Sequence, residues 1–390
     1  MHLIQNYACQ CGVQIDRPYI YPKFFPIAVD KYICCHFQSK QAKTYDFAQE
    51  VIDLLLPILK KENIHIIQLG KQDERLLAGC YSTVGQCVIN QVAYVIKNSM
   101  LVCGVDSFPI HFASYYDKKI VALYSNSYAA NVKPYWGNPE NHILIESDRF
   151  GNKPSFAMEE NPKTMNRIAP EKVAAAVCKL LGLKFDYPYE SILINNGYQF
   201  KIVESVPDTI IDTKRMGIDS LFLRMDIKFD EMNLQKQLQV GKCTIITNKP
   251  IHELILKNYR PNISEIVYII DDNHKPDFIK LLREFKIGYK LLTYLSDEKI
   301  KPLKLQYLDY GIIFKKDINP PSEIDMNKLE NYYYKSNKFL LSNQKVFPSF
   351  YDFLNNRPIN TLQSELKPII SNNIEKLWEE KDFFYFLKGI

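Results

Sequence analysis

The stretch Leu101-Val-Cys-Gly-Val-Asp106-Ser-Phe-Pro-Ile-His111-Phe-Ala113, with Lys119-Ile-Val-Ala-Leu-Tyr124 close behind it, constrains this chain more than any other. An uninterrupted apolar run too short for a free-standing helix reads as a strand buried on both faces, which is the habit of parallel sheets. Asp106 and Ser107 then break the run, and Pro109 suits the first turn of a helix. The pattern predicts a buried strand, a tight polar turn, a short helix and a second buried strand. In open parallel sheets, ligands bind at the carboxyl ends of the strands, and the free N–H groups at a helix start favour phosphates. Asp106, Ser107 and His111 fall at such a place.

The flanking sequence alternates in the same manner. Tyr32 to His36, Ile64 to Leu69, Met100 to Val105 and Ile120 to Tyr124 read as strands, and Tyr45 to Lys61 and Gln86 to Asn98 as amphipathic helices. A proline-punctuated segment follows Ser125. A helix from Pro170 to Leu181 is then bounded by Pro170 and Glu171 at its start and Gly182 at its end. The second half repeats the α/β signal more weakly. Cys243 to Thr247, Ile266 to Ile270, Tyr289 to Tyr294 and Gly311 to Phe314 read as strands, and Asp277 to Phe285 as a helix. Beyond Asn319 the sequence carries the tyrosine run Tyr332 to Tyr334 and an expected terminal helix from Ile374 to Leu387. The expected organisation is a first Rossmann-like domain over residues 1–185, a second α/β domain over 186–318 and an extension with a terminal helix over 319–390.

With 390 residues, 46% hydrophobic and 24% charged, the chain has ordinary globular composition, which argues against disorder. The net charge of +5 is spread among acidic residues rather than gathered in a basic block, so charge alone gives no nucleic-acid footprint. Nine cysteines, several in apolar surroundings, imply a reducing compartment, and neither Cys9 with Cys11 nor Cys34 with Cys35 has zinc spacing. No metal is expected. No window is long and apolar enough for a membrane span, and the amino terminus lacks a signal-peptide pattern, so a cytoplasmic protein is expected.

These residues, in order, carry a family resemblance. Tyr32-Ile-Cys-Cys-His36, the loop Ser39 to Lys43, Gly70-Lys-Gln-Asp-Glu74, Asp106-Ser-Phe-Pro-Ile-His111-Phe-Ala113, Lys119 to Tyr124 and Lys133-Pro-Tyr135 resemble the nucleotide-sugar-binding half of heptosyltransferases, glycosyltransferase family 9. The family's fold is GT-B, two facing Rossmann-like domains. The resemblance implies transfer of a sugar from a nucleotide diphosphate sugar to a hydroxyl, inverting and with no metal or other cofactor. By the same resemblance Lys43 would neutralise donor phosphate, Glu74 (or Asp73) would accept from ribose hydroxyls, and Asp106 would contact donor or sugar. Ser107, Phe108 and Pro109 would present main chain to the diphosphate, and His111 would face the same crevice. Phe108 stands where the family signature has glycine. The resemblance covers the first half only, so the expectation for a complete enzyme is a swapped order, with the downstream domain supplying acceptor site and base. The alternative is an inactive GT-B-like module that associates with a protein partner.

The acceptor stays open among a glycan, a lipid-linked sugar, a protein and modified DNA, and so does assembly as a homo-oligomer or with a partner chain. In the second half, Asp271-Asp272-Asn-His274 and Thr247-Asn248-Lys249-Pro250 follow expected strands. Each reads either as a functional polar group at a strand end or as a turn leading into the next helix.

Overall fold

The computed structural model describes residues 1–216, 218, 220–359, 371 and 378–390. The chain divides into two compact units, Met1–Ser191 and Ile192–Ile390.

Unit 1 contains α1 (Leu3–Cys11), β1 (Tyr32–His36), α2 (Ala48–Lys61), β2 (His65–Gln68), β3 (Tyr81–Ser82), α3 (Ile89–Asn98), β4 (Leu101–Val105), α4 (Phe108–Tyr115), β5 (Lys119–Tyr124), α5 (Ala129–Val132), β6 (His142–Glu146) and α6 (Pro170–Leu181). Its six strands lie in the order β3-β2-β1-β4-β5-β6, every pairing parallel. The chain therefore winds outward from β1 to β3, returns to the centre and winds outward again from β4 to β6. Right-handed crossovers place the helices of the two halves on opposite faces. The reversal falls between β1 and β4, which in such sheets opens a crevice at the strands' carboxyl ends.

Sequence dictates the closeness of that central pair. Gly104 sits opposite His36 in the register, and a Cβ there would run into the His36 carbonyl oxygen. A glycine inside an otherwise apolar strand marks such an approach. β1, β4 and nearly all of β5 are buried, as both-face coverage requires. The expected boundaries of α6 are met in full: Pro170 opens it, and Gly182 closes it at φ 75°, a left-handed conformation that glycine adopts without strain. All nine cysteines are free thiols, and burial pushes the Cys34 thiol up to about 12.

Unit 2 receives the chain within β7 (Tyr189–Ile194). It continues through β8 (Ile202–Ser205), α7 (Thr213–Met216), β9 (Ser220–Arg224), α8 (Glu231–Val240), β10 (Cys243–Thr247), α9 (Glu253–Tyr259), β11 (Ile263–Ile269), α10 (Pro276–Glu284), β12 (Tyr289–Thr293), α11 (Asp297–Gln306) and β13 (Ile313–Lys315). β14 (Tyr332–Ser336), β15 (Lys338–Ser342), β16 (Lys345–Phe347), α12 (Phe350–Leu354) and β17 (Phe384–Gly389) complete it. The large sheet runs β13-β12-β11-β10-β9-β8-β15-β16, parallel except for β16. Strands β8 to β13 step in one direction, so right-handed crossovers put all their helices on one face. Leu234, Leu238, Leu256, Phe278 and Leu282 from those helices accordingly share one core with Leu221, Leu223, Ile245 and Leu291 of the sheet.

The other face carries charge. Arg224 bonds Glu204 at 2.7 Å and reaches Asp226 through two nitrogens at 2.9 and 2.8 Å, while Lys338 bridges Glu204 at 2.8 Å and Glu380 at 2.7 Å. Burial works against ionising Glu204, but Arg224 and Lys338 outweigh it and bring the carboxyl down to about 2.

Two expectations for the carboxyl-terminal part are corrected. The residues from 319 do not form an extension apart from the second domain, because β15 inserts into its large sheet beside β8 and β16 follows. The terminal helix expected from Ile374 to Leu387 is absent among the described residues: Trp378–Phe383 forms a 3-10 turn and Phe384–Gly389 is strand β17, antiparallel to β14. The expected positions 374–377 lie outside the described residues. A short aromatic run that is buried on every side has no helical or strand period to read, and here the distant β14 decides it.

Removing one member of a buried ion network leaves the others unpaired, which costs about 3–5 kcal/mol. Glu204→Gln should lower unit 2 stability by about that amount in urea unfolding at pH 7. The carboxyl's folded value lies below its ordinary 4.5, so its contribution is present above that pH and lost as pH falls towards about 2. The difference between wild type and variant should therefore shrink over that acid window.

Candidate functional site

Three loops meet where the winding of unit 1 reverses. β1 ends in His36, β4 leads into Asp106 and Ser107, and Ser107 in extended conformation (φ −158°, ψ 173°) is the residue before α4. The loop after β1 also delivers Lys43 from the 3-10 turn Gln41–Lys43, and the loop after β2 brings Glu74. That turn is pinned on both sides: the Ala42 N–H donates to the Met158 carbonyl at 2.9 Å, and Ser125 Oγ donates to the Ala42 carbonyl at 3.1 Å.

Asp106 is the hub. Its Oδ2 accepts from Lys43 Nζ at 2.5 Å, and its Oδ1 lies 3.6 Å from His111 Nε2 on the first turn of α4. The residue is 7% exposed. Burial pushes the Asp106 carboxyl towards the neutral form, yet His111 and Lys43 more than offset this and hold it below the ordinary carboxylate range. A second chain of contacts crosses the reversal point itself. His36 Nδ1 is 2.9 Å from Ser107 Oγ, and His36 Nε2 faces Glu74 Oε2 at 3.4 Å. Glu74 Oε2 has no well-aligned hydrogen bond among the described residues. It folds back over Gly70, where a Cβ would stand 2.5 Å from it. Burial opposes its charge, and His36 and then Lys71 bring the carboxyl down.

Lys43, Asp106, Ser107, Phe108 and His111 line one cavity of about 530 Å³. Glu74 reaches this group through His36, Pro109 is buried within α4, and Asp73 is exposed on its loop. Phe108, in the glycine position of the signature, is accommodated sideways. Its ring centroid lies 6.0 Å from that of His36 and 5.6 Å from that of Phe112, and its backbone is not left-handed. The Lys133-Pro-Tyr135 turn contributes Tyr135 to the same wall.

The structure adds residues that sequence reasoning did not single out. His36 is the link between Glu74 and Ser107, although its strand-end position was a visible signal. His2, Leu3, Ile4 and Tyr7 of the α1 region also line the cavity. His2 Nε2 lies 2.9 Å from the Lys133 carbonyl, and the His2 and Tyr135 rings are 4.9 Å apart.

The downstream alternatives resolve as turns. Asp271 Oδ1 accepts from the Asn273 N–H at 2.8 Å, His274 reaches Tyr307 Oη at 2.7 Å, and Pro276 starts α10. Thr247 Oγ1 bonds both the carbonyl and the N–H of Lys249. Among the described residues no three His, Cys, Asp or Glu side chains are grouped to hold a metal ion, and no helix is long and apolar enough to cross a membrane.

Residues 22–165 match the sequence model of glycosyltransferase family 9 (heptosyltransferase). That segment holds β1 to β6 and the whole cluster around Asp106, and the heptosyltransferase-like reading of the first half stands on it. No curated protein sequence matches the chain. Among solved structures, similar ones include a family 9 glycosyl transferase from Veillonella parvula DSM 2008, at 19% identity and TM-score 0.32 over 45% of this chain and 50% of that one. Another is the ADP-heptose lps heptosyltransferase II of E. coli, at 16% identity and TM-score 0.32 over 45% and 50%. A third is the dodecameric iron-containing heptosyltransferase TibC, whose matching structure contains ADP-D-beta-D-heptose, at 12% identity and TM-score 0.33 over 42% and 47%. These matches span about half the length of those proteins.

Lys43 supplies one of the charges that hold Asp106 ionised. Lys43→Met should move the Asp106 carboxyl titration, followed by carbon-detected NMR, to higher pH. It should also cost about 1.5–3 kcal/mol at pH 7, the range for a hydrogen bond to a charged group. Because the folded carboxyl titrates below its ordinary value, that contribution is present above the ordinary value and lost as pH falls through the folded one.

Proposed function

We propose that unit 1 binds a nucleotide diphosphate sugar in the crevice between β1 and β4, and that the protein transfers the sugar to a hydroxyl acceptor. The observation that carries this reading is the Lys43–Asp106–His111 cluster at the start of α4, lying inside the segment that matches family 9. A leaving nucleoside diphosphate accumulates negative charge, which needs fixed donors and a cation close by. In the first turn of α4 Pro109 has no N–H and the Ile110 N–H donates to the Ser107 carbonyl at 3.1 Å, which leaves the Phe108 N–H, at the positive end of the helix dipole, for a ligand. Lys43, drawn to within 2.5 Å of Asp106, adds a full charge without a metal. Asp106 keeps that ammonium aimed at the crevice, and the Glu74 carboxylate is available to ribose hydroxyls.

On this reading the reaction proceeds with inversion, and the acceptor site and the base belong to the downstream α/β domain. The protein works in the cytoplasm, where nucleotide sugars are made. The acceptor remains one of a glycan, a lipid-linked sugar, a protein or modified DNA.

Calorimetry with ADP, UDP, GDP and CMP and their sugars tests the first step. One family of nucleotides should bind, unaffected by EDTA. Asp106→Ala should weaken binding at least about tenfold, the loss expected for about 1.4 kcal/mol. Binding of none would favour the inactive module, and binding that EDTA abolishes would overturn the metal-independent mechanism.

A further inference from the structure

His36 stands at the reversal point of unit 1 and is buried, only 5% exposed. It does not line the cavity that holds Lys43, Asp106 and His111, so it acts on a bound molecule only through its neighbours. Its two ring nitrogens face two different loops. Nδ1 is 2.9 Å from Ser107 Oγ, the residue before α4, and Nε2 is 3.4 Å from Glu74 Oε2 on the loop after β2. The ring has little room to move, because the His36 carbonyl is pressed against Gly104 and the Phe108 ring lies 6.0 Å from its own.

Serine is among the residues most favoured before a helix, because its hydroxyl accepts from an N–H of the first turn. Ser107 makes no such bond. Its Oγ lies between His36 Nδ1 and the Val105 carbonyl, which is 3.2 Å away. The hydroxyl that would cap α4 is thereby turned back towards the sheet, and the space beside the Phe108 N–H stays clear. On the other side of the ring, Glu74 Oε2 is buried over Gly70 with His36 as its ion-pair partner. Holding one oxygen of a planar carboxylate sets the direction of the other. We infer that His36 is a positioning residue for the donor: it keeps the Ser107 hydroxyl off the diphosphate end and holds Glu74 at the ribose end, so that one imidazole registers the two ends of the nucleotide. The inference rests on the donor reading proposed above and gives a role to a residue that touches no ligand.

Two conservative variants separate the two contacts. His36→Asn keeps a polar atom at the Nδ1 position and loses the one at Nε2, and His36→Gln does the reverse. Calorimetry on the full chain uses whichever of ADP, GDP, UDP and CDP binds the wild type best, with its 2′,3′-dideoxy analogue and its monophosphate. His36→Asn should lower the preference for ribose over dideoxyribose by about two- to tenfold, the equivalent of one net hydrogen bond, and keep the preference for diphosphate over monophosphate. His36→Gln should keep the first preference and lower the second by a similar factor. A purely structural histidine would change both preferences together or neither, and either result would overturn the inference. The unaltered protein gives a second readout should a variant not fold: the ring 15N signals of His36 should both shift when the diphosphate binds, and signals that stay in place would equally overturn it. A diphosphate that binds with no preference for ribose hydroxyls would leave the donor reading standing and overturn this inference alone. If no diphosphate binds the wild type, the donor reading fails and this inference with it.

Discussion

Everything that unit 1 brings to its crevice depends on how closely β1 and β4 can approach. Gly104 faces His36 across that pair, and no larger residue fits against the His36 carbonyl. The approach sets two strand ends side by side. His36 can then touch Ser107, and Asp106 can collect Lys43 and His111. A charged cluster of this kind is expensive to bury, and it persists because each carboxylate oxygen of Asp106 faces a cation or an imidazole. The same arrangement leaves the start of α4 open to a ligand, which is how a backbone constraint becomes an electrostatic site.

Unit 2 solves a different problem with the same element types. Its strands step one way, so one face of the sheet has helices and the other does not. The second face is covered in part by carboxyl-terminal residues, and the Glu204–Arg224–Lys338–Glu380 network sits there. Glu204, Arg224, Lys338 and Glu380 bond one another within the protein, so the network reads as a structural device rather than a ligand site.

The central strands were legible in the sequence because buried parallel strands are uninterrupted apolar runs. Tyr32–His36 and Cys243–Thr247 were read to the residue. Helix α6 was legible for another reason, its Pro and Gly punctuation. Strand β6 was not, since it lies at the sheet edge, is half-buried and sits in a proline-punctuated stretch. Helix α1 was missed because it buries only Ala8 and so has no apolar stripe to read. The residues of strand β17 read locally as part of a helix, and only pairing with β14 makes them a strand. Of the candidate site, the ordered motif residues were visible. The His36–Ser107 contact spans 71 positions, so it could not be read locally.

Amide hydrogen exchange on the full chain, with and without saturating nucleoside diphosphate, tests the central claim most directly. The account predicts slowed exchange confined to the loops after β1, β2 and β4, at residues 36–44, 70–75 and 106–112. Protection that skips the start of α4, or that falls within residues 192–390 alone, would contradict it.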